Sequence, residues 1–196
     1  MDRNQGMMSS QQVRVNRQMA KIIRLDEYRE TAALRAGPDQ WSQWLRNNVS
    51  ARTGLGELSP ATLLRLSEAG EGSAGALYAL ILRFLGYGPS TRFDTLDSKT
   101  QSDVLDIHLF MADQIRFEMM HRLGWLDRFS GTQFSLFEMV SRFPDVRQVC
   151  QVQPPQLAHD HPRWSEYRLL VDRDQQVFIR RMLTSALTVF KTRYHL

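Results

Sequence analysis

At 196 residues the chain has room for one domain, or for one domain with an appendage, and for a core of ordinary size. Hydrophobic residues make up 42% and charged residues 23%. The longest strongly apolar stretch, positions 72–82, falls well short of the about 20 residues that a membrane-spanning helix needs, which argues against integral membrane insertion. Cys150 is the single cysteine, so no intrachain disulfide can form; this fits a reducing compartment, and a cytoplasmic location is expected. No apolar run follows the basic residues at the N-terminus, which argues against a secretory leader.

The net charge of +4 resides entirely in the first 25 residues, where Arg3, Arg14, Arg17, Lys21 and Arg24 face Asp2 alone; the rest of the chain is balanced. Leu and Met outnumber Val and Ile about two to one, a bias toward helix over strand. The first predicted helix runs from about Gln11 to Arg35. It carries Val15, Met19, Ile22 and Ile23 on one side. Arg14, Arg17, Lys21 and Arg24 form a row on the other. Such a row is either a solvated face or a surface for an anion: nucleic acid, an acidic protein or a membrane surface.

Gly37-Pro38 breaks this helix, and Pro38 can open the next, which reaches about Asn48 with Trp41, Trp44 and Leu45 on its apolar face. Ser59-Pro60 is a helix start of the hydroxyl-cap type, leading to about Ala69. A very apolar helix over about Ser73–Leu85 should be buried nearly all round. Asp97 or Ser98 can cap a helix over about Ser98–Leu123, with Ser98 and Gln101 at capping-box spacing and Gly124 able to close it. Its core stripe is Val104, Ile107, Met111, Ile115 and Met119, with His108 near the centre. Phe110 and Phe117 lie on the other side beside Asp106 and Asp113, which marks a candidate interaction face for another helix or another subunit. A helix over about Phe134–Phe143 follows. Residues 144–162, with four prolines, read as irregular, and a last helix is expected from about Pro162 to Arg193. The predicted architecture is all-α: an irregular bundle of six or seven helices with a long C-terminal helix (37–196) behind a basic helical arm (1–36).

Motifs with chemical meaning are sparse. Gly70-x-Gly72-x-x-Gly75 has dinucleotide-binding spacing, but that mechanism needs a strand before the glycines, and a helix start precedes them here. Residues 60–69 and 73–85 could form a helix-turn-helix, but the second helix offers only Ser73, Tyr78 and Arg83 for DNA contact. Glu118-x-x-His121 has the spacing of a helical metal-ligand pair, yet a di-iron centre needs two such pairs. Cys150, His159 and His161 lack paired zinc-ligand spacing, and His108 has no carboxylate one turn away on its own face.

These readings predict a non-enzymatic helical binding protein (an adaptor, regulator or assembly subunit) with no cofactor and no metal. Its basic N-terminal row, Arg14, Arg17, Lys21 and Arg24, contacts an anionic partner. A protein partner or self-association is expected as well. One alternative is nucleic-acid binding of low sequence specificity, which the excess of arginine over lysine suits. Another is an enzyme or cofactor protein with a site assembled between helices from His108, His121 and nearby carboxylates.

Overall fold

The computed structural model describes residues 28–30 and 32–196. The basic row Arg14, Arg17, Lys21 and Arg24 and the apolar residues opposite it lie outside the described residues. The fold is all-α with one small sheet. Helix α1, described at residues 28–30 and 32–35, is followed by α2 (Pro38–Asn48), α3 (Pro60–Ser67), α4 (Glu71–Phe84) and α5 (Ser98–Arg122). Then come β1 (Leu126–Arg128), α6 (Leu136–Ser141), α7 (Phe143–Val152), β2 (Gln156–Leu157), α8 (Trp164–Tyr167), α9 (Asp172–Arg181) and α10 (Leu183–Tyr194). No helix among the described residues is long and apolar enough to cross a membrane.

Helix α5 is the axis of the bundle, and its ends follow from local chemistry. Asp97 accepts hydrogen bonds from the backbone N–H of Lys99 and Thr100, satisfying donors that the first turn leaves unpaired. Gln101, expected to complete a capping box, instead donates to the Phe93 carbonyl at 3.1 Å. At the other end Gly124 takes φ +76°, a conformation that disfavours any residue with a Cβ. The turn lets Trp125 N–H reach back to the Met120 carbonyl, closing the helix. Along one side Val104, Ile107, Met111, Ile115 and Met119 are buried against α3, α4 and α10.

The apolar helix α4 fills the space between α2, α3 and α5. Its one cation, Arg83, reaches out to the end of α2, where its guanidinium donates to the Arg46 and Val49 carbonyls. A side chain thus supplies the donors that a helix C-terminus lacks. Glu30 of α1 is buried and accepts from the hydroxyls of Ser59 and Thr62. Since Ser59 also accepts from the Thr62 N–H, the carboxylate sits at the positive end of α3 and ties α1 to the body.

Two features differ from the sequence reading. Residues 143–152 are helical rather than irregular, because Pro144 falls in the first turn of α7, where its missing N–H and fixed φ are tolerated. Antiparallel pairing of Leu126 with Leu157 and Arg128 with Gln156 adds a sheet too short to leave a period-two signal. The long C-terminal helical region is present and runs in three segments. Gln175 donates to the Tyr167 and Leu170 carbonyls, so the end of α8 and the bend after it have a hydrogen-bond partner.

Between β1 and α6, Gly131 is pressed against the Phe129 ring, 2.7 Å from Cε2 for an ideal Cβ, and against Gln114 Oε1 at 2.8 Å. Gly131→Ala is therefore expected to lower stability by about 1–3 kcal/mol through overpacking, read as a lower urea midpoint with an unchanged slope.

Candidate functional site

Phe110 and Phe117 lie on the wall of an open groove of about 350 Å³. Helix α5 contributes Asp106, Leu109, Phe110, Asp113, Gln114 and Phe117, a set at helical spacing that forms one face. Arg147, Cys150 and Gln151 of α7, with Pro154 and Pro155, make the facing wall, and Gln176 and Arg180 of α9 close the end. Gln176 donates to the Pro155 carbonyl at 3.1 Å, which ties α9 to the proline segment.

The two phenylalanines differ in environment. Phe117 is buried, edge-on to Phe129 at 6.2 Å, with the Arg180 guanidinium 5.9 Å from its ring centre. Phe110 is half-buried and meets Phe143 of α7 at 5.5 Å. Part of this face is thus covered by the chain itself, and the groove is what stays open. Its charges are arranged by wall. Asp113 is neutralised by Arg180, with two contacts of 3.0 Å. Arg147 stacks over Phe143 at 5.6 Å, and Asp106 is exposed on the opposite wall. Beside Asp106 the α5 surface exposes Leu105 at 42% and, one turn on, Leu109 at 58%. Burial pushes the Cys150 thiol up to about 11, so it stays protonated near neutral pH and contributes apolar surface rather than a nucleophile.

The remaining sequence candidates are placed elsewhere. Gly70 precedes α4, and Gly72 and Gly75 lie within it, with helix α3 rather than a strand ahead of them. Helix α4 packs into the core and is not presented for groove reading. Among the described residues no group of three His, Cys, Asp or Glu side chains is arranged to hold a metal ion. His159 binds Asp127 through Nδ1 at 2.6 Å, and its N–H donates to the same carboxylate at 3.0 Å. These two bonds hold the Asp127 carboxyl below the usual range and fasten the loop after β2 onto β1. His161 lies edge-on to Trp125 at 5.0 Å.

Glu118 and His121 belong to a buried joint that spacing alone does not disclose. Glu118 is 2% exposed and accepts from Arg122 Nε at 2.7 Å, with His121 Nδ1 3.8 Å from its other oxygen. Arg122 also donates to the Leu58 and Leu55 carbonyls, both at 2.8 Å. One guanidinium thus serves one carboxylate oxygen and two backbone acceptors, which suits the planar fork of arginine, while the other Glu118 oxygen is buried without a hydrogen-bond partner among the described residues. The i, i+4 spacing of Glu118 and Arg122 is visible in the sequence; what buries the pair is a turn some 60 residues upstream. His108 is half-buried and stacked on Tyr78 at 4.2 Å, and both ring nitrogens lack a hydrogen-bond partner among the described residues. It stands thirteen residues from His121 on the same helix, roughly 20 Å away, so the two histidines do not share a site.

The chain matches no family model, no curated protein and no solved structure.

Two measurements follow from these environments. Arg122→Met strands a buried carboxylate and two carbonyls, and should cost about 3–5 kcal/mol in urea unfolding, while adding Glu118→Leu should recover part of that loss. Burial, and then the charge of Arg116, hold His108 below its ordinary pKa of 6.5. The unfolded chain therefore takes up the proton first. Stability should be full above about pH 6.5 and fall as pH drops through the folded-state value, and His108→Asn should remove that component from the pH dependence of the urea midpoint.

Proposed function

We propose that this chain is a helical binding protein, an adaptor or assembly subunit, that joins a protein contact on its body to an anionic partner held by its N-terminal segment. The single observation that carries the reading is the open groove along Phe110 and Phe117. It combines the exposed Leu109, the half-buried Phe110, the buried Phe117 and charges of both signs on its walls, the composition of a contact surface rather than of a reaction centre. The exposed leucines Leu105 and Leu109 lie together on one helix, and contiguous apolar surface of this kind marks interaction sites.

The partner of the N-terminal segment is inferred from charge. Residues 1–25 hold the whole net charge of the chain, with Arg14, Arg17, Lys21 and Arg24 at spacings that a helix would align in one row. Many carboxylates of the body are already engaged with partners inside it: Glu30 with Ser59 and Thr62, Glu68 with Lys191 and Arg65, Asp113 with Arg180, Glu118 with Arg122, and Glu166 with Arg163. An anion outside the body is then the natural complement of the row, and it steers association as well as adding affinity. A reducing compartment such as the cytoplasm fits the protonated, half-buried Cys150.

A second reading, nucleic-acid binding of low specificity, is favoured by the predominance of arginine, whose fork matches phosphate geometry. Fluorescence anisotropy with random-sequence DNA, random-sequence RNA and an acidic peptide tests both. At least one of these anions should bind, and Arg14→Ala with Lys21→Ala should weaken it. If nucleic acid is the ligand, four phosphate contacts give a log–log salt slope of roughly −3 to −4, and the double substitution should reduce it by about 2. Binding indifferent to those substitutions would remove the N-terminal segment from the function.

A further inference from the structure

We propose that the groove between α5 and α7 is a two-fold contact between copies of this chain, with the Leu105–Leu109 ridge of each copy seated in the groove of the other and Asp106 of each opposite Arg147 of the other. This deepens, and rests on, the reading of the groove as a protein-contact surface. It names the occupant as a second copy.

The choice follows from how shape and charge are distributed. The ridge and the groove are neighbours on one patch: Leu109 lines the groove, and Leu105 continues the ridge one turn away. A patch carrying both a protrusion and a recess can satisfy itself only by rotation about a two-fold axis, where residue i meets residue j and j meets i. The charges have the same property. Asp113 and Arg180 cancel each other within the chain, which leaves Asp106 on the α5 wall and Arg147 on the α7 wall. Among the described residues Asp106 makes no ion pair, and Arg147 rests on the face of Phe143 without a carboxylate. A foreign partner of one sign would be attracted by one wall and repelled by the other. A second copy, turned by 180°, brings acid to base twice. Burying the ridge takes both charged groups out of water, which is costly unless they meet, so the pairing also fixes the register of the contact. A stable dimer of this kind covers about 800 Å² per copy, more than the groove alone, so the ridge must be included.

Sedimentation equilibrium of the full chain across the micromolar range tests the proposal. The chain should reversibly dimerise. Asp106→Arg and Arg147→Asp, each at an exposed position, should separately raise the dimer dissociation constant by about tenfold or more through like-charge contact. Combined in one chain, they should restore the dimer, because each reversed residue again meets its opposite. Far-UV circular dichroism spectra with the wild-type helical signal in all three variants show that folding is intact; the thermal midpoint is compared only at concentrations where every chain is monomeric, since association itself raises it. A wild-type chain that stays monomeric would overturn the inference. So would a dimer indifferent to either single reversal, or a double variant that fails to re-form it. None of these results bears on the anion binding of residues 1–25, which anisotropy reads separately, so the two readings can fail independently.

Discussion

The buried pairing of Glu118 with Arg122 is the interaction on which the rest of the arrangement depends. It sits in the last turns of α5, where the helix has run out of internal partners for its carbonyls and the chain must turn into β1. By donating to the Leu55 and Leu58 carbonyls, Arg122 fixes the segment that leads into α3 against the end of α5. Ser59 follows directly, caps α3, and holds Glu30 of α1. A short run of polar contacts thus links α5, the approach to α3, and α1. A buried ion pair is not in itself a strong source of stability, since desolvation offsets much of its attraction. Its role here is specification: this geometry satisfies the guanidinium fork, and a slip along α5 would strand a charge in the core.

With its end locked, α5 divides the molecule's tasks between two faces. One face is a row of aliphatic and methionine side chains buried among α3, α4 and α10, and supplies the hydrophobic driving force. The other carries Phe110 and Phe117 and meets α7, α9 and the loop around Gly131 only in part. A helix that is buried all round has no surface to offer, and one that is half-solvated has no purchase. Helix α5 lies between these cases, and its partly covered face is where we propose that a partner seats.

Much of this was legible in the residues, and what was not has physical causes. The limits of α5 follow from Asp97 and Gly124, whose effects act within one turn, and the start of α3 follows from Ser59-Pro60 for the same reason. Helix α7 is not legible locally because a proline reads as a breaker in isolation, whereas its effect depends on whether it falls in the first turn or later. At the break between α8 and α9, Gln175 bonds to carbonyls five and eight residues away, which an apolar stripe does not encode. The face at Phe110 and Phe117 could be read from spacing, but the facing wall at Arg147 and Cys150 comes from a helix about 35 residues on, and no local pattern joins the two. Glu118 stands at metal-pair spacing from His121, yet its hydrogen-bond partner is Arg122, which Leu55 and Leu58 engage from a distant part of the chain.

Native-state hydrogen exchange on the full chain tests the central claim most directly, that this joint makes the end of α5 and the approach to α3 a single cooperative unit. The relevant amides are hydrogen-bonded on both sides: Glu57 and Leu58 before α3, Leu123 and Gly124 at the end of α5. The account predicts that all four exchange through one opening, with closely similar free energies and the same dependence on denaturant. Exchange of Glu57 and Leu58 orders of magnitude faster than that of Leu123, with no common denaturant dependence, would contradict it.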